Sequence, residues 1–523
     1  MSAKSIFSYI ICFMWLLLVS GSVFTMTDRF AEPILTPKWY VMEAVMIAGG
    51  LLLVLLSWGN RPKIVWQTIY QKICWIANIA AFVEALWAIS QYAEAVSRYM
   101  GFAVGTFDNI AGLTACLVIS FPMGFIYFKE YNLVKRLVFV LIKLTSFLAI
   151  GLYHSRIGLL CMLLILILVF FHEKKQRVVW AILFTTVALP VSALIIKTNS
   201  THGRWFIIER TIDMIKEHPL SGWGHHGFIA NYMNVQADYF ASHPDSPYSM
   251  IADNIHHPLN EYLLVAVNYG VPAAIGIVLL LLLAFAYYQN HQSAYTREGI
   301  RILLMAALLS TCSYPSAYPF SLLITVVSLI LIFHERLTFR NLRYLYVPCL
   351  FAIICYGYHY YKCVEYELRW KDVMYKATYG QAKQMMSQYE SLLEGMGKNP
   401  NFLYNYAYEQ YRCGKYEDAL KTIQWCEKLD ADYSIQLLKG MILRSLGHDQ
   451  ESLSCYKLAS NMCPSRILPL YEIYCVYQKM GLHSESQKIY KQIMHKPLKV
   501  KSDEVKEILQ RLEQRNINKL QKL

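Results

Sequence analysis

Charge is scarce in this sequence: Asp, Glu, Lys and Arg make up 16% of its 523 residues, 56% are hydrophobic, and the mean hydropathy is +0.30. A soluble protein of ordinary composition is thereby excluded. The thirteen cysteines contain no CxxC pair and no zinc-finger spacing, and no HExxH occurs, so no metal or redox motif is legible. No two stretches repeat each other in the manner of the paired halves of many transporters. Acidic residues are in deficit, leaving a net charge of +13. The excess bases fall mainly in short loops between apolar runs, where they set membrane topology, so no nucleic-acid partner is implied.

What the sequence does have is apolar runs, concentrated before about Tyr361. At about 1.5 Å per helical residue, runs long enough to cross a bilayer fall near 6–24, 39–58, 73–90, 110–128, 137–153, 157–171, 178–196, 259–288, 300–314, 320–333 and 344–361. The expected fold is all-α: a polytopic membrane bundle of about eleven transmembrane helices. Arg61, Lys63 and Lys72; Lys129, Lys135 and Arg136; Lys174, Lys175 and Arg177; Arg297 and Arg301; and Arg336, Arg340 and Arg343 occupy alternate loops. The positive-inside rule makes that side cytoplasmic. A long polar loop near 197–258 and the C-terminal tail then lie outside, in the periplasm of a bacterium with two membranes. The first run also reads as a signal peptide, with Ser20 and Ser22 as small cleavage-site residues; the downstream topology is the same either way.

After Tyr361 the pattern changes to amphipathic helices. Gly380, Gly414, Gly447 and Gly481 recur at intervals of 34, 33 and 34, and GKYEDAL (414–420) has the Gly, Tyr and Ala of a tetratricopeptide repeat. The tail resembles three to four degenerate repeats of that type, which stack into a concave peptide-binding surface and carry no chemistry of their own. The expected domains are a membrane part over 1–362, a repeat part over 363–498 and a charged helix or tail over 499–523. Six cysteines lie in the tail and seven in or beside the spans; they are read as buried thiols, with one disulfide in the tail as the alternative.

The chemistry is expected in the polar loop and the turns on the same side. Arg156 sits in HSRIGLL (154–160), where a tight turn joins two spans; it either snorkels or binds a lipid-borne phosphate. Arg204 opens an amphipathic helix whose stripe is Trp205, Ile208, Ile212 and Ile215, ended by Pro219. Such a helix would rest on the membrane surface, its first turn offering N–H groups to an anion. Arg210 is about 240° further around at 100° per residue, so it points elsewhere. The histidines come as His225 with His226 and His256 with His257, and the loop holds no close Asp/Glu pair that suggests a divalent metal. A lone histidine acting as general base on a sugar hydroxyl is the simpler reading. His257 stands before Pro258, with Asn260 and Glu261 following at the start of a helix; a capping or interfacial role is the alternative.

In order along the chain, VGTFDNIAGL (104–113, with Asn109), HSRIGLL, GRWFIIERTIDMIKEHPLSGWG (203–224), HPLNEYLL (257–264) and NYGVPAAIG (268–276) resemble the motifs of the O-antigen ligase and polymerase superfamily of membrane glycosyltransferases. The resemblance implies a bacterial inner-membrane enzyme. It would transfer a glycan from undecaprenyl diphosphate to an acceptor on the periplasmic face, with inversion and without metal or cofactor. Arg156 and Arg204, with Arg210 as a third candidate, would hold the diphosphate, and His257 or His256 would be the base. Two positions depart from the family pattern: Leu259 stands where many members have His, and Ile208 where Trp is common. The acceptor would be lipid A core for a ligase, a protein hydroxyl for an oligosaccharyltransferase, or a second lipid-linked repeat for a polymerase. The repeats could add a protein partner. A transporter or a repeat-bearing scaffold without chemistry is the reading from another class.

Overall fold

The computed structural model describes residues 3–59, 66–98, 104–170, 198–334, 346–499 and 502–520. Among them the chain is helical, the only extended pairing being one bridge between Val104 and Phe107. It divides into two compact units. The first comprises Met1–Ile196, Leu259–Tyr262 and Gly276–Leu368, and the second Lys197–Pro258, Leu263–Ile275 and Arg369–Leu523. The expected span 178–196 lies outside the described residues, as do Arg61, Lys63, Lys174, Lys175, Arg177, Arg336, Arg340 and Arg343.

The first unit is built from α1 (Ala3–Phe24), α2 (Leu35–Gly59), α3 (Trp66–Arg98), α4 (Ile110–Ser120), α5 (Leu133–Leu152) and α6 (Arg156–Phe170). After the second unit's insertion come most of α10 (Val271–Asn290), then α11 (Ala294–Ser310), α12 (Pro319–Phe333) and most of α13 (Tyr346–Lys376). Among the described residues, three stretches are long and apolar enough to cross a membrane: Ile69–Glu94, Ile110–Tyr127 and Val271–Asn290. Along α10, Ile275, Val278, Leu280, Leu283 and Phe285 are all exposed, as suits a helix whose solvent is hydrocarbon. The opposite extreme is α4, buried from Gly112 to Ser120, because it runs through the middle of the bundle.

Three sequence expectations need correction here. The run 259–288 is not one helix: it breaks at Gly270 into α9 (Glu261–Tyr269) and α10. Gly270 has φ +86°, and a Cβ there would lie 2.1 Å from the carbonyl oxygen of Leu220. Pro272 then lacks the N–H that a continuous helix would need. Arg297 and Arg301 are not in a loop but on α11, where Arg301 is buried and donates to the carbonyl of Leu168 at 2.9 Å. Third, α13 runs unbroken through 362–363, so no break in helix marks the expected start of the repeat part.

Some polar groups buried in the bundle gather several partners, while Ser321 Oγ and Tyr287 Oη have none among the described residues. Glu298 accepts from the Tyr70 hydroxyl and the Gly124 N–H at 2.7 Å each, and from the Ile126 N–H at 3.0 Å. Glu298→Leu would leave three buried donors without an acceptor, at about 1–3 kcal/mol each. Its thermal midpoint in detergent is expected to fall by at least 10 °C, roughly, with Glu298→Gln much closer to wild type. Midpoints that match wild type for Glu298→Leu would show that the carboxylate is dispensable.

The second unit contains α7 (Thr198–Glu217), α8 (Gly227–Ser242), α9, the start of α10 and the end of α13. It continues through α14 (Ala382–Met396), α15 (Pro400–Arg412), α16 (Tyr416–Glu427), α17 (Tyr433–Ser445), α18 (Asp449–Met462), α19 (Leu468–Lys479), α20 (His483–His495) and α21 (Asp503–Leu520). Helices pair as α15 with α16, α17 with α18 and α19 with α20. Gly414, Gly447 and Gly481 sit in the turn of each pair, at positive φ. All thirteen cysteines are free thiols.

The polar loop is thus largely helical and belongs with the C-terminal helices. Helix α8 packs on α18, and the buried Gln236 side chain donates to the carbonyls of Met462 at 2.6 Å and Asp253 at 3.0 Å. Phe206 of α7 stacks on Tyr248 at 4.9 Å and meets Phe240 of α8 at 5.3 Å. These rings form a small core inside the loop itself.

Candidate active site

In the first unit the motif residues converge on one short segment, 311–318, between α11 and α12. Asn109 caps α4, its Oδ1 accepting from the N–H groups of Ala111 at 2.7 Å and Gly112 at 3.2 Å. Its amide donates to Tyr314 Oη at 3.1 Å, and the Tyr318 hydroxyl lies 3.0 Å from Asn109 Oδ1 and 3.2 Å from Asp108 Oδ1. Asn260 donates to the carbonyl of Thr311 at 2.9 Å, and Glu261 accepts from the N–H of Ser316 at 2.7 Å. All three motif residues hold backbone in place. Sequence reading missed Tyr314, Ser316 and Tyr318, although SYPSAYP between two apolar runs was the available signal.

Arg156 is the first residue of α6. The chain enters it through His154 at φ +54° and Ser155, whose hydroxyl accepts from Thr114 Oγ1 at 2.9 Å. Asn109 and Thr114 are five residues apart, about 7 Å along α4 at 1.5 Å per residue, so the Arg156 turn and the tyrosine cluster share one end of that helix. The half-buried Arg156 side chain makes no hydrogen bond or ion pair with another described residue. Around it, the opening turn of α6 presents unpaired N–H groups and the positive end of the helix dipole.

In the second unit α7 begins at or before Thr198, so Arg204 lies at least a turn and a half inside it, not in its first turn as the sequence reading expected. The free N–H groups of that helix end are not beside it. Of the expected apolar stripe, Trp205 (57%) and Ile212 (39%) are exposed and Ile208 and Ile215 are half-buried, while Phe206, Ile207, Thr211 and Met214 face inward. Arg204 is itself exposed. Arg210 turns inward: it pairs with Asp213 at 3.1 Å and lies 4.4 Å from the centre of the Tyr239 ring. Its charge is paired within the loop, although its buried Nε has no hydrogen-bond partner among the described residues.

The Gly-Trp-Gly turn is pinned to the end of α9. Trp223 and Gly224 donate through their N–H groups to the carbonyls of Val267 at 2.8 Å and Asn268 at 3.0 Å, and Asn268 Oδ1 accepts from the Phe228 N–H at 3.0 Å. The Trp223 indole donates to the carbonyl of Met214 at 2.9 Å. The two motifs HPLSGWG and NYG are therefore one structural element. Gly222 has φ +68°, and a Cβ there would lie 2.5 Å from backbone atoms of Asn268 and Tyr269. Gly222→Ala is expected to cost about 2–4 kcal/mol from overlap and left-handed strain, read as a thermal midpoint lower by roughly 5–10 °C. Gly224→Ala, at φ +92° with open space around it, should lose less; equal losses would mean that the overlap plays no part.

The neighbouring histidines part company. His256 is exposed and reaches carboxylates on the turn between α16 and α17: Nε2 lies 3.4 Å from Asp432 Oδ2, and Nδ1 lies 3.9 Å from Asp430 Oδ1. Asn254 also bonds Asp432, and Asp253 pairs with Arg466 at 2.8 Å and Lys499 at 3.2 Å. Burial acts against the Asp253 carboxylate, but the Arg466 hydrogen bond and the Asn254 N–H outweigh it and hold its pKa below the usual value. Burial pushes Asp430 up to about 6, against the opposing pull of His256. His257 is half-buried, and burial alone pushes its imidazole down to about 4. It is neutral at physiological pH. His225 instead bonds the Tyr269 hydroxyl. The carboxylate pair that the loop lacks in sequence is supplied by the C-terminal helices.

A family model described as O-antigen ligase matches residues 141–278. That is about a quarter of the chain, and it takes in Arg156, α7, the Gly-Trp-Gly turn, both histidine pairs and α9. Over this segment the chain is similar to the O-antigen ligase family. No curated protein matches the chain.

Proposed function

We propose that the protein transfers a glycan from undecaprenyl diphosphate to a hydroxyl on lipid A core or on a protein, at the outer face of a bacterial inner membrane. The observation that carries this reading is the O-antigen ligase match over 141–278, which spans the motif arginines and the neutral His257. In this reading His257 takes the proton from the acceptor hydroxyl as its oxygen attacks the anomeric carbon from the face opposite the leaving group. The bond from that carbon to the diphosphate oxygen breaks, with inversion, and undecaprenyl diphosphate departs with the electron pair. Arg156 and the first turn of α6, together with Arg204, hold the diphosphate and take up the charge that grows on it. Burial keeps this imidazole in the neutral form that can accept a proton and at the same time lowers its basicity, where a general base works best with a pKa near the operating pH. The apolar stripe of α7, with Trp205 outward, rests on the membrane surface near the lipid carrier.

The eleven spans and an external loop rest on the alternation of the remaining basic loops, Arg297 and Arg301 standing on α11. The paired helices after α13 act as tetratricopeptide-type repeats whose remaining face receives a protein partner.

The test is a deletion strain with surface glycans resolved by gel and glycoproteins probed in parallel. Loss of long lipid A-linked chains, with lipid-linked polymer accumulating, supports a lipid A core acceptor; loss of glycoprotein alone supports a protein acceptor. Chains shortened to one repeat would replace transfer to a foreign acceptor by polymerisation. An unchanged glycan profile would overturn the transferase reading.

A further inference from the structure

The loop end around His256 meets the turn between α16 and α17 through a set of groups that sequence separates by more than 170 residues. One ring nitrogen of His256 and one carboxylate oxygen each from Asp430 and Asp432 lie within 4.8 Å of one another. Asp430 is 8% exposed, and its Oδ1 has no hydrogen-bond partner although it faces the imidazole at 3.9 Å. Asp432 divides its oxygens: Oδ1 accepts from the Ser434 N–H at 2.6 Å, capping α17, and Oδ2 is left toward His256 and Asn254. The basic residues of this region are committed elsewhere, Arg466 and Lys499 both to Asp253. Two carboxylates and an imidazole therefore share a partly buried site with no fixed cation among the described residues that bonds them.

Such a site is stable only if a positive charge enters it, because two carboxylates this close repel and a buried oxygen without a partner costs free energy. A tetrahedral ion with bonds of about 2.0–2.1 Å places its ligands about 3.3 Å apart. The Nε2 of His256 and Oδ2 of Asp432 are already 3.4 Å apart; Asp430 Oδ1 faces the other ring nitrogen at 3.9 Å and, within 4.8 Å of the set, has to draw closer to complete a three-ligand face. The backbone beneath is prepared too: the Ala431 N–H, between the two aspartates, donates to the carbonyl of Ile229 in α8 at 3.0 Å.

We propose that His256, Asp430 and Asp432 bind one divalent cation of the zinc class, completed by water, which clamps the end of the loop to the turn between α16 and α17. The ion is structural. It engages the histidine next to His257 and leaves His257 outside its coordination sphere, so it positions the loop end without taking part in group transfer.

The test uses the untagged full-length chain in detergent, stripped with EDTA and titrated with CoCl2 and then ZnCl2. One equivalent of Co2+ is expected to bind with visible absorption typical of nitrogen and oxygen ligands and without the near-ultraviolet band of cysteine ligation, and Zn2+ should displace it. ZnCl2 should raise the thermal midpoint by about 5 °C. Asp430→Asn, Asp432→Asn, which keeps a capping side chain, and His256→Gln should each weaken Co2+ binding at least about tenfold. Each should also abolish the thermal shift. If one variant fails to accumulate, the other two give the same reading. Absence of stoichiometric binding by the wild type would overturn the proposal in favour of a protonated His256 bridging the two carboxylates. So would binding that persists unchanged in Asp430→Asn/Asp432→Asn. The readout is metal and not glycan, so its failure is distinct from failure of the transferase reading.

Discussion

Replacing His257 by alanine is expected to lower glycan transfer by about 10²- to 10⁴-fold, the usual contribution of a positioned general base, while the protein still inserts and accumulates. The loss should appear in kcat more than in KM for the lipid-linked donor, because a base acts on the acceptor proton in the transition state and does not bind the donor. His257 is placed before His256 because both ring nitrogens of His256 face carboxylates, whereas burial pushes the His257 imidazole down to about 4. The check is a purified transfer assay on both variants, with thermal unfolding alongside. Full turnover by His257→Ala, with loss in His256→Ala at an unchanged midpoint, would reverse the assignment.

Arg156→Ala is expected to lose about 10²- to 10³-fold in turnover, the scale seen when one preorganised donor to a developing anion is removed. Arg156→Lys should recover only part of it, since an ammonium lacks the forked geometry that suits phosphate oxygens. The physical reason for placing this residue first among the arginines is its setting. It stands in the opening turn of α6 with no hydrogen bond or ion pair to another described residue. By contrast Arg210 is paired with Asp213 and stacked on Tyr239, so Arg210→Ala should act through stability and leave the turnover of folded protein near wild type. Turnover by Arg156→Ala equal to wild type would remove this guanidinium from the transition state.

Much of the helical outline was legible because it is local. Apolar runs, the tight turn at 154–156 and the turn glycines near 414, 447 and 481 follow from a few consecutive residues, and the described helices fall on them. The reading failed where local pattern and backbone geometry compete. The run 259–288 looked continuous because it is mostly apolar, with Gly270, Pro272 and Gly276 its only glycines and proline. What forces the break is the carbonyl of Leu220 lying where a side chain at Gly270 would be. Arg204 was placed too near a helix start because Thr198, Asn199 and Ser200 resemble a polar approach, yet they are already helical.

The sequence by itself determined the membrane character, the helical class and the order of the motifs, because hydrophobic length and periodicity are properties of neighbouring residues. Only the tertiary structure decided how polar groups find partners. Asn109, Asn260 and Glu261 meet on 311–318, Arg210 pairs with Asp213 inside the loop, and His256 faces Asp430 and Asp432. Such pairings are selected by the cost of leaving a buried polar group unsatisfied. That cost depends on what is brought close in space, and the local sequence carries no trace of it.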